Sequence, residues 1–301
     1  MALLPLAAVA LGADGCSCDG RDRSETTSAA VGDPPNTLPA PNHTIRYGYY
    51  YADGRYGDHT AEVNPYTDLY IALPRGYITD LDWRPLFQDS MMKAAANDRI
   101  IFLQMDEEFL WDEVLAIAAP YWSRIEMVEV GHETDWSRAE TDAKITRLRG
   151  RISAHGLGQR PVGIVWSIGQ ALTYDAVNAA GLDWVGIEAY VDAPGSPNSQ
   201  DNIDLMNRQV NTAKARVPAG KEIVLVMQAY DRNFNWTNIP TLVDLQIPTY
   251  LLAYNDPRVI AIFMFSYARP GGSRDHPELK VPHQMIAEKI LGIDISGIPP
   301  R

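Results

Sequence analysis

The chain has 301 residues, 46% of them hydrophobic, and a formal net charge of −12. That length can bury one full-size core, and the acidic balance leaves no basic stripe to neutralise phosphates, which excludes nucleic acid and anionic membrane surfaces as ligands. Neutral ligands remain, and seven Trp and fifteen Tyr suit flat apolar sugar faces as well as core packing.

The apolar run at positions 3–11 is too short to span a bilayer and is followed by small residues, as in the hydrophobic part of an export signal. Gly15 before Cys16 is similar to a bacterial lipoprotein cleavage site. Residues 1–15 are therefore expected to be a leader, with Cys16 a lipid tether for a secreted or cell-envelope protein; the competing reading is a tail whose apolar start is accidental. Both cysteines, Cys16 and Cys18, lie here, so the folded domain has no thiol for a disulfide framework or a thiolate metal site. Residues 16–43 are rich in Gly, Ser, Thr, Asp and Pro and read as a disordered linker. The catalytic domain is expected at 44–301.

From there strand and helix signals alternate. The strands predicted are Ile45–Tyr51, Asp68–Leu73, Arg99–Met105, Ile125–Val130, Val162–Ile168, Trp184–Ala189, Glu222–Gln228 and Val259–Phe265. Several are near-continuous apolar runs, as parallel strands buried on both faces require. The clearest helix follows the fourth strand: Ser137-Arg-Ala-Glu140 is a capping box, Ala139, Ile145, Leu148 and Ile152 mark the buried stripe, and His155-Gly156 is a stop. Leu242–Tyr254 and Val281–Leu291 are predicted helices after strands seven and eight. Eight such pairs indicate an α/β protein, a single (β/α)8 TIM barrel with a disordered N-terminal tail. No Gly-x-Gly-x-x-Gly loop opens a helix, and no cofactor is expected.

In such a barrel the C-terminal strand ends form the functional rim. Those ends supply Tyr49 from strand one and Gln104 and Asp106 from strand three. Strand four gives His132, Glu133 and Asp135, and strand five Trp166 and Gln170. Strand six gives Glu188, Tyr190 and Asp192, strand seven Gln228, Tyr230 and Asp231, and strand eight Ser266, Tyr267 and Arg269. Carboxylates among aromatics are what glycosidic cleavage needs: one protonated carboxyl for the leaving oxygen, one ionised, and rings to hold the sugar.

Val130-Gly-His-Glu133 resembles the Gly-Asn-Glu that closes the fourth strand in the clan A superfamily of (β/α)8 glycoside hydrolases. Asp183-Trp-Val-Gly-Ile-Glu-Ala-Tyr190 and Ile262-Phe-Met-Phe-Ser-Tyr267 are similar to that superfamily's sixth and eighth strands. The resemblance implies a carbohydrate substrate and a general-acid role for Glu133. It departs from the pattern twice. His132 stands where the superfamily has Asn, and the position of its seventh-strand nucleophilic Glu falls on Gln228. The second carboxylate is then Glu188 or Asp231, or the barrel inverts with a base elsewhere, or it binds sugar without cleaving it. Met227-Gln-Ala-Tyr-Asp231 also resembles the Tyr-Asp of chitinase-like barrels, but Gly131 stands where their critical Asp would be.

The site expected is thus Glu133, Glu188 and Asp231 for catalysis, with His132, Tyr190, Gln228, Tyr230, Tyr267, Trp166, Asp106 and Tyr49 binding the substrate. Each has a plainer alternative. Glu133 can cap the following helix, Glu188 can pair with an arginine such as Arg269, Asp231 can form a turn with Asn233, and each aromatic can be core. His59, His132 and the acids lack ligand spacing, so no metal is expected.

Overall fold

A computed structural model of the chain describes residues 38–50, 52, 57–74, 82–190, 199–230, 239–268 and 272–294. These residues belong to a compact unit that begins at Leu38. Its strands are β1 (Arg46–Tyr49), β2 (Leu69–Ala72), β3 (Ile100–Gln104), β4 (Ile125–His132), β5 (Val162–Ser167), β6 (Trp184–Ala189), β7 (Glu222–Gln228) and β8 (Val259–Phe265). The helices between and after them are α1 (Thr60–Val63), α2 (Trp83–Ala96), α3 (Trp111–Ala118), α4 (Arg138–Ala154), α5 (Ile168–Thr173), α6 (Ser199–Arg216), α7 (Ile239–Leu251) and α8 (Pro277–Leu291). The strands pair in chain order and all in parallel, and β8 pairs back onto β1 to close a (β/α)8 TIM barrel.

Strand alternation divides the apolar residues between two cores. One fills the lumen and takes Leu69, Phe102, Met127, Val165, Trp184, Val224, Val226, Phe263 and Phe265 from successive strands. The other lies between the sheet and its helices and includes Ile101, Val128, Ile164, Val185, Ile187, Ile223 and Ile262 with helical partners such as Ile145, Leu148 and Ile286. A strand buried on both faces needs apolar residues at every position, which explains the continuous runs in the sequence. The lumen is packed, not hollow. A Cβ on Gly163 would fall 2.1 Å from Trp184 Cδ2, so glycine on β5 is what lets the β6 indole occupy the axis.

Helix α4 begins as its sequence signals. The Ser137 backbone N–H donates to Glu140 Oε2 at 2.8 Å and the Glu140 N–H to Ser137 Oγ at 3.3 Å. Its buried stripe is Thr141, Ile145, Leu148 and Ile152. Ala139, expected in that stripe, is exposed, because Thr141 one turn before Ile145 takes the inward place. Asp106 and Glu107 precede a short 3-10 turn, Glu108–Leu110, that leads into α3. Helix α8 starts at Pro277, four residues before Val281, since proline is at home in a helix's first turn.

Candidate active site

The rim chemistry starts from an irregularity in β4. The strand's register against β5 shifts between Glu129 and Gly131. Perfect alternation would turn Glu129 inward and His132 outward. The extra residue of the bulge reverses the parity, and both side chains enter the lumen. Gly131 makes room for this turn: a Cβ there would lie 2.7 Å from the Trp136 ring that folds over the strand end. Glu133 then ends the strand in the left-handed region, at φ +48°, where a non-glycine residue is uncommon. Its backbone N–H still donates to Val165 O at 2.8 Å, and its carbonyl accepts from Gln170 Nε2 at 3.1 Å.

His132 sits between two glutamates. Its Nδ1 lies 2.7 Å from Glu129 Oε1 and its Nε2 lies 3.3 Å from Glu188 Oε1 on β6. Glu129 is wholly buried and Glu188 is 3% exposed. The Tyr50 hydroxyl donates to the other oxygen of Glu129 at 3.4 Å, and Gln104 on β3 also hydrogen-bonds this carboxylate. A buried charge with no partner would cost several kcal/mol, so this ring of partners is what makes the position tenable. Burial pushes the Glu129 carboxyl up, while His132 pulls against that rise. Burial alone would pull the His132 ring down; the carboxylates of Glu129 and Glu188 outweigh it and hold its pKa well above the ordinary imidazole value.

Above this layer lie Tyr190, Tyr230 and Phe265. Phe265 contacts the rings of Tyr50, Tyr190 and Tyr230 at centroid distances of 5.4, 6.2 and 5.1 Å. The buried Tyr190 hydroxyl has no hydrogen-bond partner among the described residues. Burial pushes this phenol well above its usual range, and Glu188 and Glu133 both act on it in the same direction. Glu133 itself is exposed at the rim. Asp106, after β3, is raised by burial and by the neighbouring Glu107, and its carboxylate interacts electrostatically with Glu129 and His132. Gln228 is buried at the end of β7, with its side-chain amide donating to Tyr230 O at 3.4 Å.

The structure therefore brings together Glu133, Glu188, His132, Tyr190, Gln228, Tyr230 and Asp106. It does not bring Tyr49, Tyr267 or Trp166 to the lumen. Tyr49 and Tyr267 pack edge to face at 5.4 Å in the layer between sheet and helices, and the Tyr267 hydroxyl donates to Glu62 at 2.7 Å. Trp166 is wholly buried in that same layer, its Nε1 donating to Thr134 O at 3.2 Å. Tyr49 and Trp166 occupy outward positions of their strands, and Tyr267, two residues past the end of β8, turns into the same layer; all three are buried there. Asp231, Asp192 and Arg269 lie outside the described residues. Four further lumen residues, Tyr50, Gln104, Glu129 and Phe265, were not in the site expected from sequence, although Gln104 was read at its strand end. Counting by two from Phe102 on β3 or Phe263 on β8 would have found Gln104 and Phe265.

Among the described residues no group of three or more His, Cys, Asp or Glu is placed to hold a metal ion. No helix of the described residues is long and apolar enough to cross a membrane.

No protein-family model and no curated protein sequence matches the chain. Among solved structures it is similar to a GH5-4 broad specificity endoglucanase from an uncultured bacterium. The two share 11% identity and a TM-score of 0.54, over 86% of this chain and 99% of the other. It is also similar to an endo-beta-mannanase/endo-beta-glucanase of Prevotella bryantii, at 9% identity and a TM-score of 0.53, over 83% of this chain and 48% of that one. At these identities the likeness is one of fold.

Proposed function

We propose that this barrel hydrolyses a glycosidic bond in a neutral oligo- or polysaccharide, with Glu133 as general acid and Glu188 as the second carboxylate. The observation that carries the reading is the placement of Glu188, on β6, 3.3 Å from the Nε2 of His132, the residue directly before Glu133 at the end of β4. Glu133 would protonate the leaving oxygen as the C–O bond breaks. Glu188 would either attack the anomeric carbon or take a proton from the attacking water. A separation of about 5 Å between their oxygens suits the first course and about 6.5–9.5 Å the second.

Glu133 is exposed at the rim, where a bound sugar would cover it. Tyr190 offers a hydroxyl for the substrate, and Tyr230 and Phe265 offer rings. The two solved structures of the same fold are named as polysaccharide-cleaving enzymes, which agrees with the reading without carrying it.

Gln228 favours a second reading. A carboxamide at the β7 end cannot act as a nucleophile, and a barrel lacking that group can bind sugar without cleaving it. Replacing Glu133 and Glu188 singly by Gln, and measuring reducing-end release and glycan affinity over a broad panel, separates the two. The enzyme reading expects lost turnover with retained affinity in both variants. Affinity without hydrolysis by the unaltered protein supports the binder.

A further inference from the structure

The fully buried Glu129 cannot touch a substrate, yet it makes the shortest contact in the site. We infer that Glu129 is the positioning residue of the rim: it fixes the His132 ring by Nδ1 and so directs the ring's Nε2–H at Glu188. The inference rests on the proposed role of Glu188 for its catalytic consequence, but not for the state of the ring.

The argument is geometric. Both imidazole nitrogens face carboxylate oxygens, at 2.7 and 3.3 Å. A carboxylate oxygen only accepts, so a ring that satisfies both carries a proton on each nitrogen. Two further groups flank the ring. Asp106 acts on it from the end of β3, and the Tyr50 ring packs edge-on at 6.1 Å from the end of β1. The bulge in β4 is what allows one strand to contribute both Glu129 and His132 to the lumen. With one oxygen of Glu188 engaged by Nε2–H, its other oxygen is aimed and left for the reaction. His132 thus occupies the place of a neutral side chain in the resembling superfamily but brings a charge, and the charge needs Glu129 beneath it.

The test is the protonation of the six-histidine protein followed by two-dimensional nitrogen–proton NMR of the rings, with His132 assigned by its loss in His132→Asn. In the unaltered protein the His132 ring is expected to remain doubly protonated at pH 7.5, where an ordinary imidazole with a pKa of about 6.5 is mostly neutral. In Glu129→Gln, which keeps an acceptor oxygen but removes the charge, the midpoint is expected to fall by at least one pH unit. The alkaline limb of kcat/KM is expected to move down with it, a change that a merely structural Glu129 would not produce. In Glu188→Gln the midpoint falls less, since that contact is longer. A His132 midpoint at or below the ordinary value in the unaltered protein overturns the inference, whether or not Glu129→Gln folds. So does an unmoved midpoint in a folded Glu129→Gln. A ring that behaves as expected in a protein with no glycosidase activity sustains the positioning role and removes the hydrolase reading, so the two failures are distinct.

Discussion

His132 Nδ1 stands 2.7 Å from Glu129 Oε1, although the two residues are three apart on one strand and regular alternation would set them on opposite faces. The register shift between Glu129 and Gly131 reconciles these facts, and it gives the rim a charged layer from a strand that would otherwise supply one inward carboxylate.

The identity of residue 228 discriminates between cleavage and binding. Gln228 is 7% exposed and its amide donates to the Tyr230 carbonyl, a hydrogen bond that an ionised carboxylate there could not make and would replace with repulsion between two acceptors. Gln228→Glu is expected to lower Tm, reflecting a destabilisation of about 1–3 kcal/mol, and to leave turnover no higher than before. Thermal melts and reducing-end assays check both. A large gain in turnover would show that position 228 is the seat of a missing nucleophile and would favour the binder reading for the present chain.

Acid sensitivity should trace to a residue outside the lumen. His283 on α8 is wholly buried, with Nε2 on Gln246 Oε1 at 2.9 Å, and burial lowers its pKa to about 3. The unfolded chain therefore binds the extra proton first. This contribution to stability is fully present above about pH 6.5 and is lost as pH falls from there toward 3, amounting to about 3 kcal/mol by pH 4. Replacing His283 by Gln is expected to flatten the pH dependence of denaturant unfolding between pH 7 and pH 4, whatever it does to stability at pH 7. An unchanged slope would contradict the assignment.

The lumen tolerates no added volume at β5. Gly163→Ala places its Cβ against the Trp184 indole and is expected to destabilise by about 1–3 kcal/mol or more. Combining it with Trp184→Leu should return part of that loss, a coupling that a double-mutant cycle in urea measures directly.

Helix α4 provides a contrast away from the chemistry. Ser137→Ala removes one half of an observed capping box and is expected to cost about 1 kcal/mol by denaturant titration. Turnover per folded molecule should not change, because the cap lies beyond the loop that Gln170 and Tyr174 hold through Asp135.

Most of the barrel could be read from the chain because parallel strands buried on both faces leave long apolar runs. The ends of β6, β7 and β8 coincide with those expected. What could not be read was which way the end of each strand points. Tyr49 and Tyr50 are adjacent and identical, and only the pairing of β1 with β8 decides that Tyr50 enters the lumen while Tyr49 packs under α8. Trp166 fell outward for the same reason: Val165 is the inward residue of that pair. On β4 even correct counting would have failed, since a bulge has no marker in sequence beyond a glycine. His132 and Glu133 were recognised by residue type, and Glu129 was passed over because it sits in an apolar run.

The role of Glu133 is tested most directly by comparing how its removal affects substrates that need protonic assistance and substrates that do not. Rates of Glu133→Ala relative to the unaltered protein should be measured on a dinitrophenyl glycoside and on the matching glycan-linked substrate. A general acid contributes about 10²–10⁴-fold, so the glycan rate is expected to fall by that factor while the dinitrophenyl rate falls far less. Equal losses on both substrates, or no loss on either, would contradict the account.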